Sequence, residues 1–486
     1  MLMNLHCVGS ALSEGKQPVR YYIPGTSETI DPEVIDKINQ MMAADGLNLE
    51  LSLHYIPWDS WVSEIEEMIE RGEDFELFHI MQDLVPYGTY QGRGSLKPLG
   101  ELIAKHGPVL KDIFGLELWD CATVSNSIYA VPAEWRDASG DMQGTLSVRQ
   151  DKLSAAGLSI DNTTMTVDEM IDILTALQAA WGGDELPYVW DRSKLRPPVL
   201  FHRSYDSWPF YVSPNGIFHI DQGGKVTAYF MTDEFRRDCE YYAKMYVRGL
   251  IHPEALTSPQ HVKNIADAEG NVLGGFDTFQ EETEPTLRLI EPDADIETYR
   301  LYPQKPALMT TPLINANAVP ITSRSPEAGI QFLNWLYSRK ENHDLLIYGI
   351  EGKHYIKSDR RYIKSLVDPD TGKLLHRFDF WMIGNLNYAF FEEGTPTNVI
   401  EDWTGCTTDF VASPVLGFIF RSEQVWQQYA DVLSAYEQWI LPIKMGVLDY
   451  DTHIEAALAE MKAAGIDDLI DECQQQLDKY LAEKHH

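Results

Sequence analysis

Between Val19 and Met81 the chain switches repeatedly between two hydrophobic periods, and that switching limits the fold more than any other feature. Val19–Ile23 is a β-rich run closed by Pro24-Gly25-Thr26-Ser27. Over Pro32–Ala44, residues Val34, Ile35, Ile38, Met41 and Met42 recur at helical spacing. Leu47, Leu49, Leu51 and Leu53 alternate as a strand does. Trp61, Ile65, Met68 and Ile69 then form the stripe of a second helix, with Asp59 placed to cap it. Phe75–Met81 is the third strand. Strand, helix, strand, helix, strand requires parallel pairing with right-handed crossovers, and so an α/β sheet. Ligands bind outside the carboxyl ends of such strands. Three loops lie there: Pro24–Ser27, Pro57–Asp59 and Gln82–Pro86.

A chain of 486 residues is long for one domain and suits two or three. Its 44% apolar and 23% charged residues are those of a protein with a full core. No apolar run reaches the roughly eighteen residues that a membrane-spanning helix needs. A formal charge of −35 argues against nucleic acid, whose binding needs clustered Lys and Arg. Cys7, Cys121, Cys239, Cys406 and Cys473 show neither zinc spacing nor a disulfide framework, and read as small core residues. One disulfide stays open for an exported chain. There is no GxxxxGK[ST], no GxGxxG after a strand, no GxSxG and no HExxH. No cofactor, metal ion or catalytic residue is therefore expected. Asp368-Pro369-Asp370-Thr371-Gly372 has spaced aspartates, but its glycine comes one place early for a calcium loop, so it reads as a hairpin turn. His54, His79 and His219 lie in apolar runs and read as hydrogen-bonded core or rim residues. The opening MLMNLHCVGS lacks the basic and apolar regions of a signal peptide and reads as a replaced leader.

Further along, Thr166 and Glu169 form a capping box for a helix over Thr166–Ala180. Pro187–Trp190 reads as a short strand, 191–230 as loop-rich and aromatic, and Phe235–Gly249 as a helix ended by its glycine. Helices follow at Val425–Ile440, Tyr450–Ala464 and Ile466–Glu483. Asn315–Tyr355 reads NANAVPITSRSPEAGIQFLNWLYSRKENHDLLIYGIEGKHY. Ala318–Thr322 is extended, Ser325 is an N-cap, Pro326 opens a helix, and Phe332, Leu333, Leu336 and Tyr337 share its face. Gly349 ends the next helix.

The order of residues in that stretch resembles the segment by which extracellular solute-binding proteins of ABC importers return to their first lobe. The version here is similar to a Gram-positive branch of the sugar-binding lipoproteins. Similar family patterns recur at Lys97-Pro98-Leu99, at Asn126–Pro132 (with Ser127 near a usual glycine), at LSVRQDK, across Ala266–Phe279, at SPVLGFIF and in MKAAGIDDLIDECQQQLDKYL. The resemblance implies an α/β, two-lobed periplasmic-binding-protein-like fold of type II, with a ligand cleft between lobes and an α-rich C-terminal extension. Lobe 1 would hold residues 18–147 plus 313–365, and lobe 2 residues 148–312 plus 366–486. It implies a monomeric binding component, not an enzyme, that closes on an oligosaccharide or glycoside and delivers it to ABC permease transmembrane subunits. It also implies a place outside the cell membrane, held by a lipid anchor, or in the periplasm.

Twelve Trp and twenty-four Tyr fit that expectation, because a sugar ring has an apolar face for aromatic planes and a rim of hydroxyls for carboxylates and amides. Tryptophans within helix stripes (Trp61, Trp335, Trp439) read as core. Loop tryptophans beside polar side chains are candidate ligand contacts: Trp58 with Asp59, Trp135 with Glu134, Trp208, Trp381 with Asn385, and Trp403. Asp83 after the third strand and Asp277 after Gly274-Gly275-Phe276 join them, each with a helix cap or core role as its alternative. Arg149 reads as structural. Two rival functions stay open: a glycan-acting hydrolase or lyase using two carboxylates, whose separation is spatial, and a sugar-sensing subunit.

Overall fold

The computed structural model describes residues 6–9, 15–25, 30–81, 87–124, 127–133, 145–160, 166–181, 201–213, 215–251, 273–276, 287–288, 290–302, 304–309, 315–371, 373–393, 395, 410–413, 415, 418, 420–422 and 424–484. The chain divides into two units, Met1–Asp137 with Thr311–Thr407, and Ala138–Thr310 with Thr408–His486. It passes from one to the other three times.

The first unit is built on a six-stranded sheet, in the order His6–Val8, Leu49–Ile56, Gln17–Pro24, Leu77–Met81, Asn315–Ala318, Ala130–Ala133. Gln17–Pro24 pairs in parallel with Leu49–Ile56 and with Leu77–Met81, as the alternating periods require. The Pro32–Ala44 helix between the first two buries Val34, Ile35, Ile38 and Met42, and Asp31 caps it by accepting the Glu33 N–H at 2.9 Å. Asp59 does not hold the N-cap position of the next helix. It lies inside a 3₁₀ turn, Trp58–Ser60, and Ser60 holds the position before Trp61–Glu70. Buried Glu76 accepts from Arg20 at 2.7 Å and ties the third strand to the first. His6–Val8, within the segment taken for a leader, pairs antiparallel with the sheet edge, with Cys7 opposite His54.

The returning strand is Asn315–Ala318, earlier than the expected Ala318–Thr322, and it runs antiparallel to both neighbours. Pro326 opens the Pro326–Ser338 helix, though the Ser325 side chain makes no capping bond. Gly349 ends Lys340–Tyr348 at φ +81°, where a β-carbon would run into His354. Residues 366–407, expected in the second lobe, fall in the first unit. The reason is hydrogen bonding: Asn317 Nδ2 donates to the Met382 carbonyl at 3.0 Å, Tyr337 Oη to the Ile383 carbonyl at 3.0 Å, and His376 Nε2 to the Leu346 carbonyl at 2.9 Å. The hairpin turn at Asp368 is as expected. Val367 bridges to Leu374, and Asp368 Oδ1 accepts from the Asp370 and Thr371 N–H groups and the Thr371 hydroxyl.

In the second unit, Thr145–Arg149 lies between Gly274–Phe276 and Ile296–Arg300, antiparallel to both. Arg149 is buried and pairs with Asp151 at 2.6 Å and with Glu291, a structural role as read. The Thr166–Glu169 capping box forms in both directions, at 2.8 and 3.2 Å. Within 191–230, Tyr211–Val212, Phe218–Ile220 and Val226–Ala228 form a small meander rather than loop alone. Trp426–Ala435 continues through a π turn, Tyr436–Ile440, into Leu441–Lys444, and is followed by Tyr450–Ala463 and Ile466–Lys484. Val432, Ile440, Met461, Leu469 and Leu477 carry these helices into the unit's core. Trp439, read as core, is instead 37% exposed within the π turn. Gly446 has φ +71°, and a β-carbon there would lie 2.5 Å from the Ala243 nitrogen, so only glycine lets these helices approach Asp233–Val247. No helix among the described residues is long and apolar enough to cross a membrane, and no metal-holding cluster occurs among them.

One cluster in the first unit gives the fold an acid limit. Burial pushes the His376 imidazole down to about 4, against its bond to Leu346. Its Nδ1 accepts the Asp31 N–H at 3.3 Å, a bond that protonation breaks. Burial alone would raise the Asp31 carboxyl, yet bonds from Lys353, the Glu33 N–H and His354 outweigh it and hold it at about 2. Between pH 6.5 and 4 the unfolded chain protonates His376 and the folded chain does not, so stability falls as acid is added. The loss from this residue reaches at most about 3 kcal/mol. Asp31 withdraws its own contribution later, as pH falls from 3.8 toward 2. Urea titration of the full chain across this range is expected to show that fall, and a smaller one in His376→Gln. Equal falls in both proteins would refute the assignment.

Candidate ligand-binding site

The register of the sheet collects several chain segments at one edge. Pro24 lies opposite Ile56, Met81 opposite Asn315, and Asn315 opposite Ala133. Because the flanking strands run against Asn315–Ala318, its start meets their carboxyl ends. Gly25, Trp58, Met81, Ala133 and Asn315 therefore share this edge.

Two tryptophans meet there. Trp58 occupies the 3₁₀ turn after Leu49–Ile56 and is 41% exposed, high for so large an apolar side chain. Its ring centroid is 5.9 Å from that of Trp381, with the planes inclined by 34°. Gly25 sits beside them: a β-carbon on it would lie 3.8 Å from the Trp58 indole nitrogen. Trp381 belongs to the short Phe380–Ile383 helix, held by the bond from Asn317 to the Met382 carbonyl.

Beneath Trp381 runs a buried polar chain. The His79 ring stands edge-on to Trp381, 5.1 Å away at 70°. His79 Nδ1 lies 3.2 Å from Asn317 Oδ1, and its Nε2 lies 3.1 Å from the Asn315 carboxamide. The Tyr21 hydroxyl donates to the same Asn317 oxygen, and burial raises that phenol well above its ordinary range. His79 and Asn317 are fully buried and Asn315 nearly so. An array of indole faces and carboxamides gives apolar contact plus directed donors and acceptors without net charge.

Of the residues singled out from sequence, the structure brings Trp58 and Trp381 together. Asn385 follows four positions later but is buried; its Oδ1 accepts the Asn387 N–H at 3.0 Å, and its Nδ2 has no partner among the described residues. Trp208 lies in the core of the second unit, where its indole donates to the Pro306 carbonyl at 2.8 Å and its ring stands edge-on to Phe210. Asp59 is in the Trp58–Ser60 turn, and its side chain lies outside the described residues. Asp83, Glu134, Trp135, Asp277 and Trp403 also lie outside them, although the strands leading to Asp83 and Glu134 end at this edge. His79, Asn315 and Asn317 were missed as members of the site. Their signal was the Asn-x-Asn alternation opening a strand, which puts two carboxamides on one face.

Residues 414–482 match a family model described as a domain of unknown function (DUF3502). Over 483 residues, 98% of this chain and 93% of the relative, the sequence is 23% identical to a carbohydrate ABC transporter substrate-binding protein of Streptococcus pneumoniae. Among solved structures, the N-glycan transport solute-binding protein NgtS of S. pneumoniae, in complex with Man5GlcNAc, matches with a TM-score of 0.77 at 21% identity, over 96% of this chain and 99% of that one. A human-milk-oligosaccharide-binding solute-binding protein of Bifidobacterium longum infantis gives 0.63 at 17% identity, over 96% and 100%. Alginate-binding protein AlgQ2 gives 0.67 at 15% identity, over 96% and 99%. The fold is thus the two-lobed α/β fold of solute-binding proteins, as the stretch Asn315–Tyr355 suggested.

The two kinds of tryptophan separate in a stability measurement. Trp208→Ala removes a packed ring and strands a buried carbonyl, and is expected to cost about 3–5 kcal/mol in chemical denaturation. Trp58→Ala is expected to cost less than about 1 kcal/mol, because its ring is largely at the surface. Equal losses would contradict these placements.

Proposed function

We propose that this chain is the substrate-binding component of an ABC importer, which captures an oligosaccharide or glycoside and hands it unaltered to the transmembrane permease. The observation that carries the reading is the Trp58–Trp381 pair at the edge of the mixed six-stranded sheet where its parallel strands end, set over a buried carboxamide chain. Indole faces suit the apolar face of a pyranose, and neutral amides suit its hydroxyl rim. A formal charge of −35 favours a neutral ligand over an anionic one. The relatives whose ligands are given by name bind N-glycan, human milk oligosaccharide and alginate, so the ligand class comes from both sides.

Trp58 and Trp381 are the proposed stacking residues. Asp59, Asp83, Glu134, Trp135, Asp277 and Trp403 are proposed as further contacts. Trp208 and Asn385, both buried, are not in the proposed set. The protein would work as a monomer on the outer side of the cell membrane, lipid-anchored or periplasmic, as its family likeness suggests.

A thermal-shift screen against plant and host oligosaccharides tests the reading, with chromatography of the sugar before and after. At a hundredfold excess over Kd, a ligand adds about 2.7 kcal/mol of stability, a shift of a few degrees. At least one neutral oligosaccharide is expected to give such a shift and to be recovered intact. Trp381→Ala is expected to weaken that ligand by about threefold to tenfold, the worth of one stacked ring. A panel without any shift, or new reducing ends after incubation, would overturn the proposal.

A further inference from the structure

Tyr55 is the last residue of the Leu49–Ile56 strand on the face that carries the buried polar chain. Register and alternation place it there. Tyr55 lies opposite Ile23, and Tyr21 opposite Leu77. Residues two apart along a strand share a face, so Tyr55, Tyr21 and His79 point to the same side. The two phenols differ in what they bind. Tyr21 gives its hydroxyl to Asn317. The Tyr55 hydroxyl has no hydrogen-bond partner among the described residues, although Tyr55 is only 6% exposed. Burial, and after it the charge of Asp379, raises this phenol well above its ordinary range, so it stays a neutral O–H donor. A hydroxyl on so buried a ring calls for a partner, and here the chain supplies none.

Its surroundings are those of the tryptophan pair. Gly25 stands between the two rings: a β-carbon on it would lie 3.9 Å from Tyr55 Cδ1 and 3.8 Å from the Trp58 indole nitrogen. Asp379 comes two residues before Trp381. It holds the N-cap position of Phe380–Ile383, yet its side chain makes no capping bond. The carboxylate instead pairs with Arg377 Nε at 3.3 Å, and its side chain is 37% exposed. A carboxylate has about four acceptor sites, so this pairing leaves capacity for a ligand.

We propose that Tyr55 and Asp379 are specificity-determining ligand contacts that grip one sugar hydroxyl between them, Tyr55 donating to its oxygen and Asp379 accepting its proton. This rests on the oligosaccharide-binding reading above and adds a chemical requirement to it. A hydroxyl both donates and accepts, so it satisfies a phenol and a carboxylate at once. A methyl ether at the same place satisfies only the phenol and leaves the carboxylate without its donor. A carboxylate on the sugar would meet Asp379 as a like charge.

Calorimetry of the full chain, with the oligosaccharide that shifts it most in the thermal screen, tests the pair. Tyr55→Phe removes only the phenol oxygen and is expected to bind that sugar about threefold to tenfold more weakly. Asp379→Asn is expected to lose affinity by a similar or larger factor, because the acceptor gives up its charge. Since both hold one hydroxyl, the double variant is expected to lose less than the product of the two single factors. The ligand-free proteins give a second readout. Tyr55→Phe is expected to melt at the wild-type temperature, whereas Tyr21→Phe, which takes a buried donor from Asn317, is expected to melt lower. Unchanged affinity in Tyr55→Phe, losses that simply multiply in the double variant, or a lowered melting temperature of ligand-free Tyr55→Phe would overturn the inference and leave the binding function standing. A wild-type chain that binds no sugar of the panel would overturn both.

Discussion

The carboxamide of Asn317 is the pin of the first unit. Its oxygen takes the Tyr21 hydroxyl and faces His79, and its nitrogen holds the Met382 carbonyl. Four segments far apart in sequence meet on that one side chain: Gln17–Pro24, Leu77–Met81, Asn315–Ala318 and Phe380–Ile383. A shorter or apolar side chain there would strand several buried polar groups at once, each costing about 1–3 kcal/mol. The same pin sets the position of the Phe380–Ile383 helix, and with it the reach of Trp381. Fold and candidate site are thus joined by one amide, and a change that loosens one loosens the other.

Period was the most readable property of this sequence. The parallel trio came directly from alternating helical and strand spacing, and the Pro32–Ala44 helix has the bounds its stripe suggested, because Asp31 and Pro32 signal its start without ambiguity. Capping was less readable. Thr166 and Glu169 close their box, whereas Ser325 leaves its side chain out and Asp59 is absorbed into a 3₁₀ turn. A capping residue states a local preference; whether it is used depends on where the following turn has to go. Long-range pairings were not readable at all. Nothing in His6–Val8 announces that it will add to the Leu49–Ile56 edge, since three residues carry no period. Residues 366–407 went to the wrong lobe in the sequence reading because hydrogen bonds to backbone carbonyls, such as those to Met382 and Ile383, leave no trace in composition.

The tryptophans show the same limit from the side of function. Trp61 and Trp335 are core residues, as helix stripes suggest, and Trp335 satisfies its indole N–H on Asp45 at 2.7 Å. Trp208 sits in a loop beside polar residues, as Trp58 and Trp381 do, yet it is packed in the second unit's core with its indole N–H satisfied by a carbonyl. Trp439 sits in a helix stripe and is exposed, because the π turn rotates it off the buried face. Sequence context alone does not separate a ring that fills a core from one that faces a ligand. The register of the neighbouring strands does.

Rigid support matters at such a site because the interactions with a sugar are individually weak. A stacked ring and a neutral hydrogen bond are each worth about 1 kcal/mol, so any freedom left in the contacting side chains is comparable with what the contact returns. Burying His79 and Asn317 removes that freedom before the ligand arrives, and edge-on packing against His79 fixes the lower face of Trp381. Trp58, in a surface turn and inclined by 34° to its partner, has more room to adjust. One fixed ring and one adjustable ring suit a carrier that must hold its cargo and later surrender it. On the proposed reading, the fixed ring would set where the sugar lies, while the adjustable one would give up its contact at little cost to the fold.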